Sequence, residues 1–243
     1  MRADAWLSEN MRDPHFLEGA RTTLKTANRV HIRNALADAA ATQLYQALVA
    51  TNWNAAFNTP GAVQLLSAER VAAIDPAQRE SGLKDIHARA QGGFQFLYDC
   101  YPIPQHLVSG SAPPNPLSDF VRTLNAPEAL ELFRVLTGER RIVSVSAQAT
   151  RYRPGHFLTE HDDAVAGETR LFAYVFNFTP TWHADWGGLL TFFRRDGHVQ
   201  EAYTPAWNAL NVFPVGQPHA VSFVAPFAGA FRYSITGWFL GAR

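Results

Sequence analysis

From Ile142 onward the chain breaks into short β-rich runs, at about 142–152, 156–161, 170–179, 188–194, 199–204, 208–214, 219–224 and 230–240, parted by Gly, Pro and Asp. Many short strands at regular spacing, with turn residues between them, are the pattern of an antiparallel sandwich or barrel. The spacing predicts a jelly roll, that is, a double-stranded β-helix of cupin-like form. Before Ile142 the period changes. Leu36, Ala40, Leu44 and Leu48 fall at helical spacing within 34–50, after a brief β-like run at 29–32. A polar helix is predicted over 76–96. Another is predicted to begin at Asn125, whose side chain can cap free amides, with Glu128 three residues on and Gly138 as a stop. The predicted class is α+β: residues 1–140 form a mainly helical part packed on one sheet, residues 141–243 form the β core, and the whole is a single domain. A chain of 243 residues suits one β domain with helical cladding. The Pro-rich stretch 112–116 is predicted to be a surface loop rather than a boundary.

Charge narrows the possible partners. The 21 basic and 21 acidic residues cancel, leaving no field to draw the chain to nucleic acid or an anionic membrane, so a protein, peptide or small-molecule partner is expected. Nothing in the sequence specifies an oligomeric state. The single cysteine, Cys100, has no partner for an intramolecular disulfide. Residues 1–13 carry charges throughout and lack the apolar stretch of about 7–15 residues that marks a signal peptide, and no run nears the ~20 apolar residues of a membrane span. The expectation is a soluble, cytoplasmic protein.

In Thr159-Glu160-His161-Asp162-Asp163, a strand end would direct His161 and Asp163 to one face, because alternate residues share a side of a sheet. His219 opens a later β-rich run and offers a third ligand. Two histidines and one carboxylate on one face of an iron leave positions open for a chelating co-substrate and oxygen. On the last run, Arg232, Ser234, Thr236 and Trp238 alternate with Phe231, Tyr233 and Ile235, so a guanidinium, two hydroxyls and an indole share one face. A buried guanidinium needs an anion, and a carboxylate matches its fork. If 226–229 turns a hairpin, His219 lies opposite Thr236, with Arg232 about 13 Å along the strand. A second His-x-Asp, His183-Ala184-Asp185, lies between Pro180 and Gly187-Gly188, in a stretch predicted to be a loop. His156, five residues before His161, has the opposite strand parity. Phe172, Tyr174, Phe176 and Phe178 form a stripe of period two, predicted to pack on the N-terminal helices and to leave Ala173, Val175 and Asn177 facing a pocket.

Over residues 142–240 the chain resembles the prolyl-hydroxylase-like branch of the iron(II)/2-oxoglutarate oxygenases. The motifs are Arg151-Tyr152-Arg153-Pro154-Gly155, His161-Asp162-Asp163, Arg170 to Asn177, Trp182, Trp186-Gly187-Gly188-Leu189-Leu190, His219, and Arg232-Tyr233-Ser234-Ile235-Thr236-Gly237-Trp238. The resemblance implies that His161, Asp163 and His219 bind iron(II) and that Arg232 pairs with the distal carboxylate of 2-oxoglutarate. It also implies that Tyr152, Leu190, Thr236 and Trp238 line the same pocket. Asn177 falls where the oxygen-sensing enzymes carry a tyrosine that hydrogen-bonds 2-oxoglutarate, so that contact must be shorter, water-mediated or absent. Arg170 resembles an arginine near the substrate in those enzymes, or is a solvated charge at a strand start. Trp182 and Trp186 either contact substrate or pack their loop on the barrel. The implied reaction consumes 2-oxoglutarate and O2, releases succinate and CO2, and hydroxylates an unactivated C–H bond. The tract from Asn177 to Trp182, with Trp186-Gly187-Gly188, looks closer to the ribosomal-protein prolyl hydroxylases, and a prolyl residue of a protein or peptide is the expected substrate. A free amino acid or other small metabolite is the alternative, and a non-catalytic jelly-roll sensor the alternative of another class.

Overall fold

Three helices open on the same device, a short side-chain oxygen followed by proline. Asp13 accepts from the His15 amide before α1 (Pro14–Ala27), Asp75 accepts from the Ala77 and Gln78 amides before the later helix Pro76–Gly92, and Asn115 accepts from the Leu117 amide before Pro116–Leu124. Each cap satisfies amides that have no partner inside the helix, and proline at the first position lacks only a donor that would be idle there. The computed structural model describes residues 6–103 and 115–242; His106 and most of the 112–116 stretch lie outside them.

After α1 come β1 (Val30–Arg33), α2 (Asp38–Val49), the hairpin of β2 (Asn54–Thr59) and β3 (Ala62–Ser67), α3 (Ala68–Ala72) and α4 (Pro76–Gly92). Then follow β4 (Phe96–Pro102), α5 (Pro116–Leu124) and α6 (Pro127–Thr137). The core strands are β5 (Ile142–Val145), β6 (Gln148–Tyr152), β7 (Phe157–His161), β8 (Arg170–Phe178), β9 (Leu190–Phe193), β10 (Val199–Tyr203), β11 (Trp207–Pro214), β12 (His219–Val221) and β13 (Arg232–Gly241).

Three expectations need correction. Asn125 does not cap α6, which follows Ala126 with no side-chain cap; its amide bridges the Val121 and Val145 carbonyls and its oxygen takes the Val145 amide at 2.8 Å, tying the end of α5 to β5. Gly138, at φ 72, ends α6 as predicted. Among the described residues the first half holds four strands rather than one, because β2, β3 and β4 extend the sheet beside β6 and β7. The run 142–152 is two strands, both paired with β13. They part where the backbone of Ser146 passes so close to Gly237 that a Cβ there would stand 1.9 Å from the Ser146 carbonyl oxygen.

One antiparallel sheet runs β1-β11-β8-β13-β6-β4-β7-β12-β9-β10 and curls into a half-barrel. The outer face of β8 and β13 carries the aromatic stripe into the helices, with Phe120 edge-on to Phe176 at 5.3 Å and Phe133 stacked on Phe239 at 4.6 Å. Burying one such ring contributes about 1.5–3 kcal/mol from water transfer alone. Phe176→Ala, which also leaves a cavity, is expected to destabilise the fold by about 3–5 kcal/mol in denaturant titration. The inner face is left for the site. The condition of a 226–229 hairpin is not met: β12 pairs with β7 and β9, and β13 with β5, β6 and β8.

Candidate active site

His161 ends β7 and His219 begins β12, and the two are direct cross-strand partners. Their rings lie 4.1 Å apart between centroids. Asp163 joins them by a turn rather than by strand alternation: β7 stops at His161, and Asp163 adopts a left-handed φ of 64°. Asp tolerates that conformation better than most residues. Its carboxylate then reaches both imidazoles, Oδ1 at 3.4 Å from His161 Nε2 and Oδ2 at 3.4 Å from His219 Nε2. Among the described residues this is the one group of three His, Cys, Asp or Glu side chains with donor atoms close enough, within 4.8 Å, to share an ion. The rival His183 packs against Trp186 at 4.7 Å on a loop, away from that group.

Both histidines are oriented in the same way. Nδ1 of His161 faces the Thr159 carbonyl at 3.0 Å, and Nδ1 of His219 faces the Gln217 carbonyl at 2.9 Å. A carbonyl can only accept, so each Nδ1 carries the proton and each Nε2 lone pair points inward, the tautomer a metal ligand requires. Burial, reinforced by repulsion from His161, pushes His219 down to about 4, so its ring is neutral at pH 7. Burial pushes the Asp163 carboxyl upward, but the two imidazoles and the Trp238 indole beside it outweigh burial and hold its pKa below the usual range. Oxygen and imidazole nitrogen donors of this composition suit a divalent iron with positions left open.

The three side chains stand in a cavity of about 490 Å³ inside the half-barrel. One wall is the β6–β13 ladder, where Tyr152 lies opposite Arg232, Thr150 opposite Ser234 and Gln148 opposite Thr236, all six lining the cavity. Arg232 is 2% exposed and over the Tyr152 ring at 5.2 Å. Its Nη1 donates to the Gly188 carbonyl at 2.7 Å, while its buried Nε meets no acceptor, and among the described residues it has no carboxylate partner. Burial lowers its pKa to about 10, so it remains a cation at pH 7. A buried, incompletely bonded guanidinium beside an inward-facing donor trio fits a ligand that brings its own carboxylate. The residues therefore fit iron(II) and 2-oxoglutarate together.

Leu190, Thr236 and Trp238 line the cavity as expected, with the Thr236 hydroxyl donating to the Tyr174 carbonyl at 2.8 Å. Arg170 lies at the mouth, its guanidinium 3.7 Å over Trp238 and paired with Glu168 at 2.6 Å. Three expected site residues fall outside the lining. Asn177 is buried across the ladder from Ser234, and its amide turns to the Val175 carbonyl. Trp182 and Trp186 stack edge-on at 5.3 Å, and Trp182 packs behind the wall on Tyr152, Val221 and Val224. Sequence reasoning missed Gln148, Thr150 and Tyr98. The first two share the parity of Tyr152 on β6, a signal that was there to use. Tyr98 sits on β4, a strand concealed by the helical reading of 76–96, and stacks on Tyr152 at 5.3 Å.

Fold and donor set together resemble those of the jelly-roll oxygenases that use iron(II), 2-oxoglutarate and O2. Residues 147–240 match the model of the 2OG-Fe(II) oxygenase superfamily. That match covers the β core alone, and the class it supports is a 2-oxoglutarate/iron(II) oxygenase. The chain's fold is that of the prolyl hydroxylases. A Pseudomonas putida prolyl-4-hydroxylase is similar at TM-score 0.58 and 18% identity, over 93% of this chain and 100% of that one. A Trichoplax adhaerens prolyl hydroxylase, solved with a peptide fragment of the hypoxia inducible factor oxygen degradation domain, is similar at TM-score 0.60 and 18% identity, over 96% and 91%. A Burkholderia pseudomallei oxidoreductase of the 2OG-Fe(II) oxygenase family is similar at TM-score 0.57 and 14% identity, over 93% and 92%. None of the helices is long and apolar enough to cross a membrane, among the described residues.

Proposed function

We propose that this oxygenase hydroxylates a prolyl residue of a protein or peptide, with His161, Asp163 and His219 holding the iron and Arg232 anchoring 2-oxoglutarate. The observation that carries the reading is the convergence, in a single cavity, of two inward-facing imidazoles, one ionised carboxylate and one buried guanidinium that has no counter-charge among the described residues. With 2-oxoglutarate and O2 the iron supplies the oxidising power, and succinate and CO2 leave as co-products. The protein would hold the iron on the inward-turned Nε2 atoms of its two histidines, Arg232 would pair with the co-substrate's far carboxylate, and Leu190, Thr236 and Trp238 would line the space around it. The β6–β13 wall, with the Thr150 and Ser234 hydroxyls 2.7 Å apart, offers hydroxyl contacts where Asn177 offers none.

The mouth supports a peptide as substrate. Val63, Phe94 and Val165 line it while 60%, 52% and 44% exposed, a clustering of large apolar side chains that suits a bulky partner better than a free amino acid. Arg170, at the same mouth, is the proposed substrate contact; Trp182 and Trp186 do not line the cavity. The decisive experiment incubates the iron-loaded protein with 2-oxoglutarate and either a ribosomal-protein peptide or free proline, and measures product mass. A gain of one oxygen on the peptide supports the proposal; a gain on free proline alone assigns a small-metabolite hydroxylase. Arg170→Ala is expected to retain iron and 2-oxoglutarate binding while losing most peptide hydroxylation. Normal hydroxylation by Arg170→Ala moves the substrate surface away from that arginine.

A further inference from the structure

Two successive peptide planes behind the cavity wall are fixed by side chains that no role yet described uses. The Trp182 indole N–H donates to the Gly187 carbonyl at 2.9 Å, and the other end of that peptide, the Gly188 amide, donates to the Ser222 carbonyl at 3.1 Å. In the next peptide, the Leu189 amide donates to the Ser222 hydroxyl at 3.0 Å. Because a peptide unit is planar and trans, holding its N–H fixes the direction of its carbonyl. That carbonyl, of Gly188, is the one that takes the Arg232 Nη1 donor at 2.7 Å.

The two glycines make the arrangement possible. Gly187 has φ 68°, and a Cβ there would stand 2.0 Å from the Phe223 carbonyl oxygen; Gly188 has φ 61°, and a Cβ would press on the Trp182 ring at 3.1 Å. Only glycine accepts both the left-handed backbone and the close approach. The chain is thus threaded between Trp182 and the 222–224 backbone, and its one outward acceptor is aimed at the guanidinium. A planar guanidinium held at one nitrogen has its remaining donors pointed in a set direction, which reduces the freedom lost when a carboxylate docks.

We infer that Trp182 and Ser222 are positioning residues for Arg232, and that through it they set the preference for a dicarboxylic over a monocarboxylic 2-oxo acid. The inference rests on the proposed role of Arg232 as co-substrate anchor. It places Trp182 behind the co-substrate, acting through the Gly187–Gly188 backbone.

The test is calorimetric titration of the Mn(II)-loaded protein with 2-oxoglutarate and, separately, with pyruvate, which shares the chelating 2-oxo acid end but lacks the distal carboxylate. Trp182→Phe removes the indole donor and Ser222→Ala the hydroxyl acceptor. Each variant is expected to weaken 2-oxoglutarate binding by roughly fivefold to tenfold, the scale of one lost hydrogen bond, while pyruvate and Mn(II) affinities stay at parent values. An equal fall for both acids means general damage to the cavity and overturns the inference, as does an unchanged ratio in both variants. A parent protein that shows no preference for the dicarboxylate overturns the Arg232 anchor, and the inference with it. Should Trp182→Phe fail to fold, by circular dichroism, the smaller change Ser222→Ala decides alone.

Discussion

His161→Ala, Asp163→Ala and His219→Ala proteins are each expected to lose tight iron(II) binding, by at least about 100-fold, and with it turnover, while their circular dichroism and unfolding cooperativity stay close to those of the parent. The bound follows from outer partners: removing a group that only orients a ligand already costs about 10–100-fold in affinity, and removing the ligand itself costs more. The fold survives because its main core lies on the far side of the sheet, between the helices and β8, β11 and β13, and shares none of the three side chains. His183→Ala, on its loop beside Trp186, should bind iron as the parent does. Iron titration of the four variants checks the assignment. If His183→Ala lost the metal and His161→Ala kept it, the site would have to be moved.

The second large effect belongs to Arg232. Arg232→Ala should raise the 2-oxoglutarate concentration needed for half-maximal rate by roughly 30- to several thousand-fold. Truncating one member of a buried charge pair costs about 2–5 kcal/mol, and each 1.4 kcal/mol is about tenfold. The magnitude belongs at the upper end if the cavity stays dry, since the stranded carboxylate then has only the Tyr152 ring and hydroxyls around it. Arg232→Lys should recover only part of the loss, because an ammonium is a point charge and cannot both hold the Gly188 carbonyl and present a planar fork. The measurement is co-substrate dependence of succinate release together with direct binding. Unchanged affinity in Arg232→Ala would remove the anchor from this account.

Much of the site was legible because its chemistry is carried by residue types that a strand core seldom contains. A guanidinium, two hydroxyls and an indole on one face of a terminal strand call for a polar ligand wherever that strand lies, so Arg232, Thr236 and Trp238 could be grouped before their neighbours were known. The neighbours themselves were not legible. Placing β13 beside β12 followed from adjacency in the chain, yet β13 inserts between β8 and β6, pairings that connect residues 57 to 88 positions apart. The convergence of His161 and Asp163 was anticipated for the wrong local reason: a positive φ, which strand parity cannot foresee, brings the carboxylate round. β4 was hidden because Phe96–Pro102 follows a polar helix without a proline or charge run to mark the change. Trp182 reads as an exposed loop residue until the peptide it fastens is seen.

The cross-strand pairing of His161 with His219 would make an ion bound by both a fastener of the sheet as well as a reagent. β12 is only three residues long, the shortest strand among those described, and His-Ala-Val says little about how it should align. A slip of one residue would turn His219 to the opposite face and take its nitrogen away from Asp163. An ion held by both imidazoles therefore binds one alignment and not its neighbours, so metal occupancy and strand register are linked equilibria. At free iron(II) 100-fold above its dissociation constant, that linkage favours the aligned state by about 2.7 kcal/mol. If the three side chains hold iron as proposed, the protein's stability and its competence to react would decline together in a cell poor in iron.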